Sequence, residues 1–394
     1  MTLFKQIGAV TAMNLAGIPS RLGTSLVIVI GIAGVVGVLI SVLAMAVGFS
    51  NALNHTGRAD RAIIMRGGST SELGSTLSRG NALTILDAPG VRKTADGKPI
   101  GSAEELVIVD LPQKGTDSGV NVTLRGIGPQ GLATRPEIHL VAGRMFQPAV
   151  RELIVGTAAQ AQFKGLDLGS HIAFRDSDWT VVGVFESGGD AHESEMLADA
   201  ETVMSAYRRN LFQSITVLLD NAAAFDKFKD ALTTNPTLSV DVRREPDYYA
   251  TMSATLEKIL FFVAYVVGGI MAVGALFGAL NTMYSAVSAR AIEIATLRAL
   301  GFGATPVVIS VFVEALLLSF VGGAIGAGFA WAFFNGDAAN TLSGNFTQVV
   351  FRLTIGADVV VLGIVWACVI GMVGSLFPAI RAARLPIAVV LRTG

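Results

Sequence analysis

Four long apolar runs, separated by polar stretches of very unequal length, organise this chain. Residues 22–49 carry no charge, and none appears between Arg21 and Arg58. The other runs are residues 258–287, bounded by Lys258 at its start, 305–334, which contains one charge, Glu314, and 359–380. Each meets or exceeds the roughly 20 residues that a helix needs to cross hydrocarbon, which predicts four membrane helices. Ala44-Met45-Ala46 resembles a signal-peptide cleavage site. The run around it is much longer than the about 7–15 apolar residues of a signal sequence, which favours a retained anchor.

The polar stretches differ in kind. In residues 1–21, Leu3, Phe4, Ile7, Val10 and Met13 fall at roughly helical spacing, which suits a short amphipathic helix on the membrane surface. Residues 50–257 are far too many for a loop and predict a folded α+β domain inserted between helices one and two. Strands are expected at 61–66, 105–112, 121–128, 151–156, 214–220 and 238–243. A hairpin over 170–186 should turn at Asp176-Ser177-Asp178, and residues 67–81 read as a mobile loop. One helix is expected after the 151–156 strand, closed by glycine, and another after Asn221 as its N-cap. Residues 245–258 look helical and run without a breaker into the second membrane helix. Residues 335–358 form a loop outside the membrane, and 381–394 a tail.

Basic residues set the orientation. Lys5 and Arg21 precede helix one, Arg290 and Arg298 lie between helices two and three, and Arg381, Arg384 and Arg392 follow helix four. By the positive-inside rule both termini and residues 288–304 are cytoplasmic, and residues 50–257 lie outside.

Composition agrees with the pattern. The chain has 394 residues, 52% hydrophobic and only 15% charged, with a mean hydropathy of +0.59. A formal net charge of −1 gives no reason to expect nucleic acid as a partner. The single cysteine, Cys368, rules out a disulfide within the chain or a cysteine-based metal site. The cluster "GGDAHESE" (188–195) lacks the spacing of a metal motif and reads as a turn whose polar groups fix the outer domain. No hydrolase motif is visible, and no G-x-x-x-x-G-K-[ST] occurs.

Candidate functional residues gather in and beside the membrane. On the short segment 288–304, Ile292, Ile294, Leu297 and Leu300 offer apolar knobs. Arg290, Glu293 and Arg298 offer directional polar contacts, and Gly301 allows a tight turn back. A solvated connector would leave those apolar residues without burial. Gly274 with Gly278, and Gly322 with Gly326, make small-residue faces, read as contacts within one subunit in preference to a dimer seam. Glu314 is read as a hydrogen-bonding structural acid in preference to a proton relay.

The stretch "ARAIEIATLRALGFGAT", the ending "FPAIRAARLPIAVVLR" and the signature "AGRMF…RELIVGTAAQAQFKGLDLGSHIAF…TVVGVFESGGDAHESE" resemble MacB/FtsX-like ABC transporter permeases over nearly the whole chain. The resemblance implies a bacterial inner-membrane permease subunit that pairs with a second permease, identical or paralogous. In this family the 288–304 segment is a coupling helix that docks into a cytoplasmic ABC ATPase subunit. The chain would bind no cofactor, with ATP and magnesium held by that ATPase. Shape change in the outer domain would then export or extract a lipoprotein, peptide, antibiotic or other amphiphile, with a periplasmic adaptor and membrane lipid as further partners. The rival reading is an FtsX-like regulator that activates a cell-wall hydrolase outside.

Overall fold

The computed structural model describes residues 3–116, 118–342, 347–384 and 386–387. The chain begins with α1 (Leu3–Ala16) and α2 (Leu22–Asn54). It continues through β1 (Arg61–Arg66), α3 (Arg79–Leu86), β2 (Gly101–Pro112), β3 (Gly119–Ile127), β4 (His139–Gly143) and β5 (Glu152–Gly156). Next come α4 (Thr157–Gln162), β6 (His171–Phe174), β7 (Ser177–Glu186), β8 (Met196–Asp199), α5 (Ala200–Tyr207), β9 (Ser214–Leu218), α6 (Ala224–Thr233) and β10 (Val240–Arg244). The remainder is α7 (Glu245–Ala289), α8 (Ala291–Ala299), α9 (Ala304–Phe334), the strands β11 (Ala338–Leu342) and β12 (Gln348–Arg352), and α10 (Ala357–Ala383).

Two compact units emerge. One comprises Met1–Ala46, Ile259–Asp337 and Thr354–Gly394, the other Val47–Lys258 and Ala338–Leu353. α2, α7, α9 and α10 are each long and apolar enough to cross a membrane.

In the helical unit, small residues decide which faces meet. A Cβ added at Gly322 would stand 2.8 Å from the Val29 carbonyl oxygen of α2, and one at Gly326 would collide with the Ala33 carbonyl. α9 therefore packs backbone to backbone on α2 through the Gly322 and Gly326 face. At Gly363 of α10 a Cβ would meet Ile40 of α2 at 2.8 Å. α7 uses another stripe: within this unit Ala264, Gly268, Ala272, Ala279, Thr282, Met283 and Val287 are its buried positions, spaced to share one helical face. Gly274 and Gly278 lie off that stripe, exposed, with nothing within 4 Å of an added Cβ. The expected contact within the subunit fails for this pair, because the packing face of α7 falls on other turns.

The inserted unit holds a mixed sheet in the order β10-β1-β9-β2-β3-β8-β5-β7-β4, with β6 also on β7. Pairing is antiparallel except for β3 with β8 and β5 with β7. One core lies under α3 and α6, where Phe225, Phe228 and Leu232 meet Ile64, Val217 and Val242. A second gathers Trp179, Phe163, Leu124 and Val155. Both follow from alternating or continuous apolar strands whose inward side chains need a covering layer.

Local expectations shift in several places. The β6–β7 hairpin turns at Arg175-Asp176, since Phe174 pairs with Ser177. α4 stops at Gln162, before the glycine expected to close it. Asn221 does accept from the Ala224 N–H at 3.0 Å, although the residue immediately before α6 is Ala223. Residues 67–81 contain a short 3-10 turn at Glu72–Gly74 whose Glu72 is buried, together with the start of α3. That segment is pinned by an ion pair, described below. The 335–358 stretch contains the β11–β12 hairpin, and β4, β8, α3 and α5 are elements that the pattern did not announce.

Candidate functional site

Two places concentrate chemistry: the corner between α7 and α9, and the first turn of α7. The corner begins where α7 ends at Ala289. Arg290 leaves helical geometry, α8 follows, and Gly301 takes a φ of 96° that an L side chain rarely adopts.

The structure divides the residues expected to dock a partner. Ile292 and Leu300 are 52% and 74% exposed, and Glu293 is exposed beside them. Leu297 is half-buried. Ile294 is buried against the bundle and unavailable to another chain. Arg298 is half-buried and donates from Nη1 to the Ala383 carbonyl at 2.7 Å, tying α8 to the end of α10.

Arg290 is the clearest departure. It is buried, and its Nη2 lies 2.5 Å from Oε1 of Glu314, also buried, in α9. In this arrangement Arg290 makes no outward polar contact, because the acid inside the apolar helix demands a cation. An isolated carboxylate in hydrocarbon is costly, and a matched arginine offsets that cost. Glu314 thus has a structural partner on the preceding corner.

A cleft of about 540 Å³ lies beside the corner, lined by Met13, Gly17 and Arg21 together with Arg290, Ile292, Glu293 and Leu297. α1 forms one wall. Asn14 donates to the Ser310 hydroxyl at 2.7 Å, which fixes α1 against α9.

The second place is the start of α7 in the inserted unit. Glu245, the first residue of α7, is fully buried with Nε of Arg61 3.1 Å from its Oε2, and the Arg58 N–H also donates to it. A carboxylate at a helix N-terminus is further favoured by the helix dipole. One turn on, the Tyr248 hydroxyl accepts from the Glu72 N–H at 3.2 Å, and Tyr249 meets the His192 ring edge-to-face at 5.8 Å.

Around this turn runs a network of buried charge. Arg125 of β3 reaches Glu72 at 2.9 Å, Glu104 at 2.8 Å and Glu195 at 2.7 Å, and Arg135 binds Glu104 at 2.6 Å. His192 lies 3.4 Å from Glu195 and 3.7 Å from Glu245. Burial opposes the His192 cation, yet the surrounding carboxylates of Asp190, Glu195 and Glu245 prevail and raise its pKa to about 9. Burial raises Asp190 to about 6. Glu195 is held well below the carboxylate range, where Arg125 and His192 outweigh its burial.

The "GGDAHESE" cluster therefore works as a clamp. Asp190 accepts from the His192 N–H, and Glu193 accepts from the Ser187 and Gly189 N–H groups. Among the described residues no group of three or more His, Cys, Asp or Glu has metal-holding geometry. Sequence reasoning found Glu195 and His192 but missed Arg125, Glu104 and Glu72. For Arg125 and Glu104 the available signal was charge set in an apolar strand, as in "NVTLRGIG" and "EELVIVD", whereas Glu72, in the 67–81 segment, carried no such signal.

A bundle of four apolar helices with a large α+β insertion after the first is the layout of a membrane permease. Residues 22–235 match the model of the MacB-like periplasmic core domain, and residues 265–387 that of the FtsX-like permease C-terminal domain. The chain belongs to this family of ABC transporter permeases. It is 27% identical over 247 residues to the macrolide export ATP-binding/permease protein MacB of Campylobacter fetus, covering 59% of this chain and 37% of that protein. It is 26% identical over 335 residues to MacB of Neisseria meningitidis, covering 77% and 48%. Over 202 residues it is 23% identical to the uncharacterized ABC transporter permease YknZ of Bacillus subtilis, covering 49% and 48%. The chain spans less than half the length of each. Among solved structures, the extracellular domain of YknZ aligns with a TM-score of 0.36 at 14% identity, over 46% of this chain and 99% of that one. The periplasmic region of MacB from Actinobacillus actinomycetemcomitans aligns with a TM-score of 0.36 at 15% identity, over 51% and 92%.

Proposed function

We propose that this chain is the permease subunit of an ATP-driven transporter, in which α8 receives the motion of a separate cytoplasmic ABC ATPase and α7 passes it to the inserted domain. One observation carries the reading. α7 is a single uninterrupted helix of 45 residues, about 67 Å long, with its first turn locked into the inserted domain by Glu245, Tyr248 and Tyr249. Its other end leads directly into the corner that presents Ile292, Glu293 and Leu300. An unbroken helix transmits displacement, whereas a flexible linker dissipates it.

In this scheme both termini and α8 are cytoplasmic, the inserted domain faces outward across the inner membrane, and ATP with magnesium resides in the partner. The substrate is an amphiphile, lipoprotein, peptide or antibiotic handled outside, with a periplasmic adaptor receiving it. Glu314 is already neutralised by Arg290, which leaves the bundle without a polar lining for a hydrophilic path. A second permease, identical or paralogous, packs on the uncovered side of α7 around Gly274 and Gly278, with membrane lipid over the rest.

The test is Ile292→Asp. Its side chain is exposed in this chain, so folding and insertion should survive. An unpaired charge buried at the ATPase contact costs several kcal/mol, roughly a hundredfold or more in affinity. Leu83→Asp in the inserted domain, also exposed, serves as control. Loss of ATPase co-purification in the first variant only is the expected result. Retention in both would remove the coupling role from α8.

A further inference from the structure

The inserted domain leaves two strand edges open on either side of one groove. β2 bonds to β9 only over Gly101–Glu104, and to β3 over Glu105–Pro112. The Gln113 N–H donates to the Ser118 carbonyl in the register of the β2–β3 ladder, so odd-numbered residues of β2 bond β3 and even-numbered ones turn the other way. On that other side the Glu104 carbonyl accepts from the Gln213 N–H, and the Leu106 N–H donates to the Gln213 side chain. The Leu106 carbonyl accepts from Arg209, and the Pro112 carbonyl from the Lys164 N–H. Between these anchors the outward N–H and C=O of Ile108 and Asp110 have no partner among the described residues.

The facing wall is β6, which pairs with β7 alone. The Ser170 carbonyl accepts from the Val181 N–H in the β6–β7 register, so Ala173 also turns its N–H and C=O away from β7. Val107 to Asp110 and Ala173 to Arg175 line one groove of about 520 Å³, within the range of ligand clefts. At its end Arg175 stacks 5.5 Å from the Tyr207 ring centroid and has no ion-pair partner among the described residues. Arg175 and Arg208 are two of the three described non-glycine residues with positive φ, at 52° and 55°, and both lie at this groove or beside its lining. Strain of that kind, costing on the order of 1–3 kcal/mol each, collects where a ligand is met.

We propose that this groove binds an extended, acidic segment of a separate polypeptide, added as a strand along the Ile108–Asp110 edge with a carboxylate on Arg175. The backbone supplies affinity, because a strand laid there satisfies the open donors and acceptors of β2. The unpaired guanidinium supplies selectivity, since it donates to a carboxylate in bidentate geometry. Peptide binding at this groove needs no ATPase, so it stands or falls separately from the coupling role of α8.

The experiment uses the full chain in lipid nanodiscs and a displayed random peptide library, with selected peptides then synthesised. Ile108→Pro removes one outward N–H and leaves the β2–β3 ladder intact, because that N–H does not take part in it. Selected peptides should be rich in β-branched residues, carry Asp or Glu, and slow amide exchange at Ile108 and Asp110. Affinity should fall about tenfold or more in Ile108→Pro and again in Arg175→Glu, while exchange across β3 stays unchanged. The Arg175→Glu protein should instead select basic peptides. Peptides that bind Ile108→Pro equally well, a helical or basic consensus on the natural chain, or occupation of the edge by a second copy would each overturn the proposal.

Discussion

In the helical unit, buried charge among the described residues is confined to Arg290 and Glu314, one cation matched to one anion at 2.5 Å. In the inserted unit, Arg125 alone holds three carboxylates, and one of these, Glu104, also holds Arg135. The two regions bury charge in different surroundings. Residues buried among apolar helices have no water to share a surplus charge, so the pairing there is one to one. The inserted domain tolerates a network because distant parts of the chain deliver donors to both carboxylate oxygens of Glu72, Glu104 and Glu195. Packing differs too. The most apolar stretches of α2, α9 and α10 are 44%, 44% and 39% buried within the chain, against 11% for α7. Three helices thus form the packed group, and α7 offers most of its surface to other molecules.

The largest expected effect comes from breaking charge in each region. Glu314→Leu leaves Arg290 buried and unpaired and should cost about 3–5 kcal/mol, whereas the double variant with Arg290→Met should recover most of that loss. Arg125→Met removes a cation shared by three carboxylates: Glu72 is left without one, while Glu104 keeps Arg135 and Glu195 keeps His192, so no single compensating change should rescue it. Thermal unfolding in detergent, read by fluorescence and proteolysis, separates the two cases. A double variant as unstable as Glu314→Leu would refute the one-to-one reading of the bundle.

A smaller effect is set by pH and should be confined to the inserted domain. His192 has a native pKa of about 9, above the ordinary value near 6.5, so its contribution is fully present below about pH 6.5. Stability should then fall by up to roughly 3 kcal/mol as pH rises toward 9. Asp190, raised to about 6 by burial, acts in the same direction over the lower pH range as it ionises. Amide exchange in β8 and the first turn of α7 should quicken across this window, and His192→Gln should flatten the change. Equal slopes in both proteins would show that the network is not the titrating element.

The smallest effect sharpens the packing contrast. Gly326→Leu forces a side chain into the Ala33 backbone and should cost about 1–3 kcal/mol in the stability of the single chain. Gly278→Leu meets open space and should leave that stability within about 0.5 kcal/mol. Native gels or mass photometry of the second variant would report whether α7 is a seam between permeases. Equal destabilisation by both would erase the distinction between the two glycine faces.

Length and hydropathy were enough to reveal the four apolar helices, because a run of some 20 uncharged residues has few alternatives to a membrane helix. Continuity of α7 was legible too, since no proline or glycine interrupts residues 247–267. The glycine pairs show where pattern stops. Gly274-x-x-x-Gly278 and Gly322-x-x-x-Gly326 share one spacing, and only the docking of α9 on α2 separates a filled face from an open one. Arg290 was read as reaching outward because it shares the short segment between two apolar runs with Glu293 and Arg298, yet Glu314, 24 residues on, turns it inward. The Arg125 network was hidden for the same reason, its partners lying 21 to 70 residues away. Local pattern fixes what a segment can be. Which buried charge meets which, and which apolar face remains uncovered, depends on contacts distant in sequence, and only the tertiary structure brings those residues together.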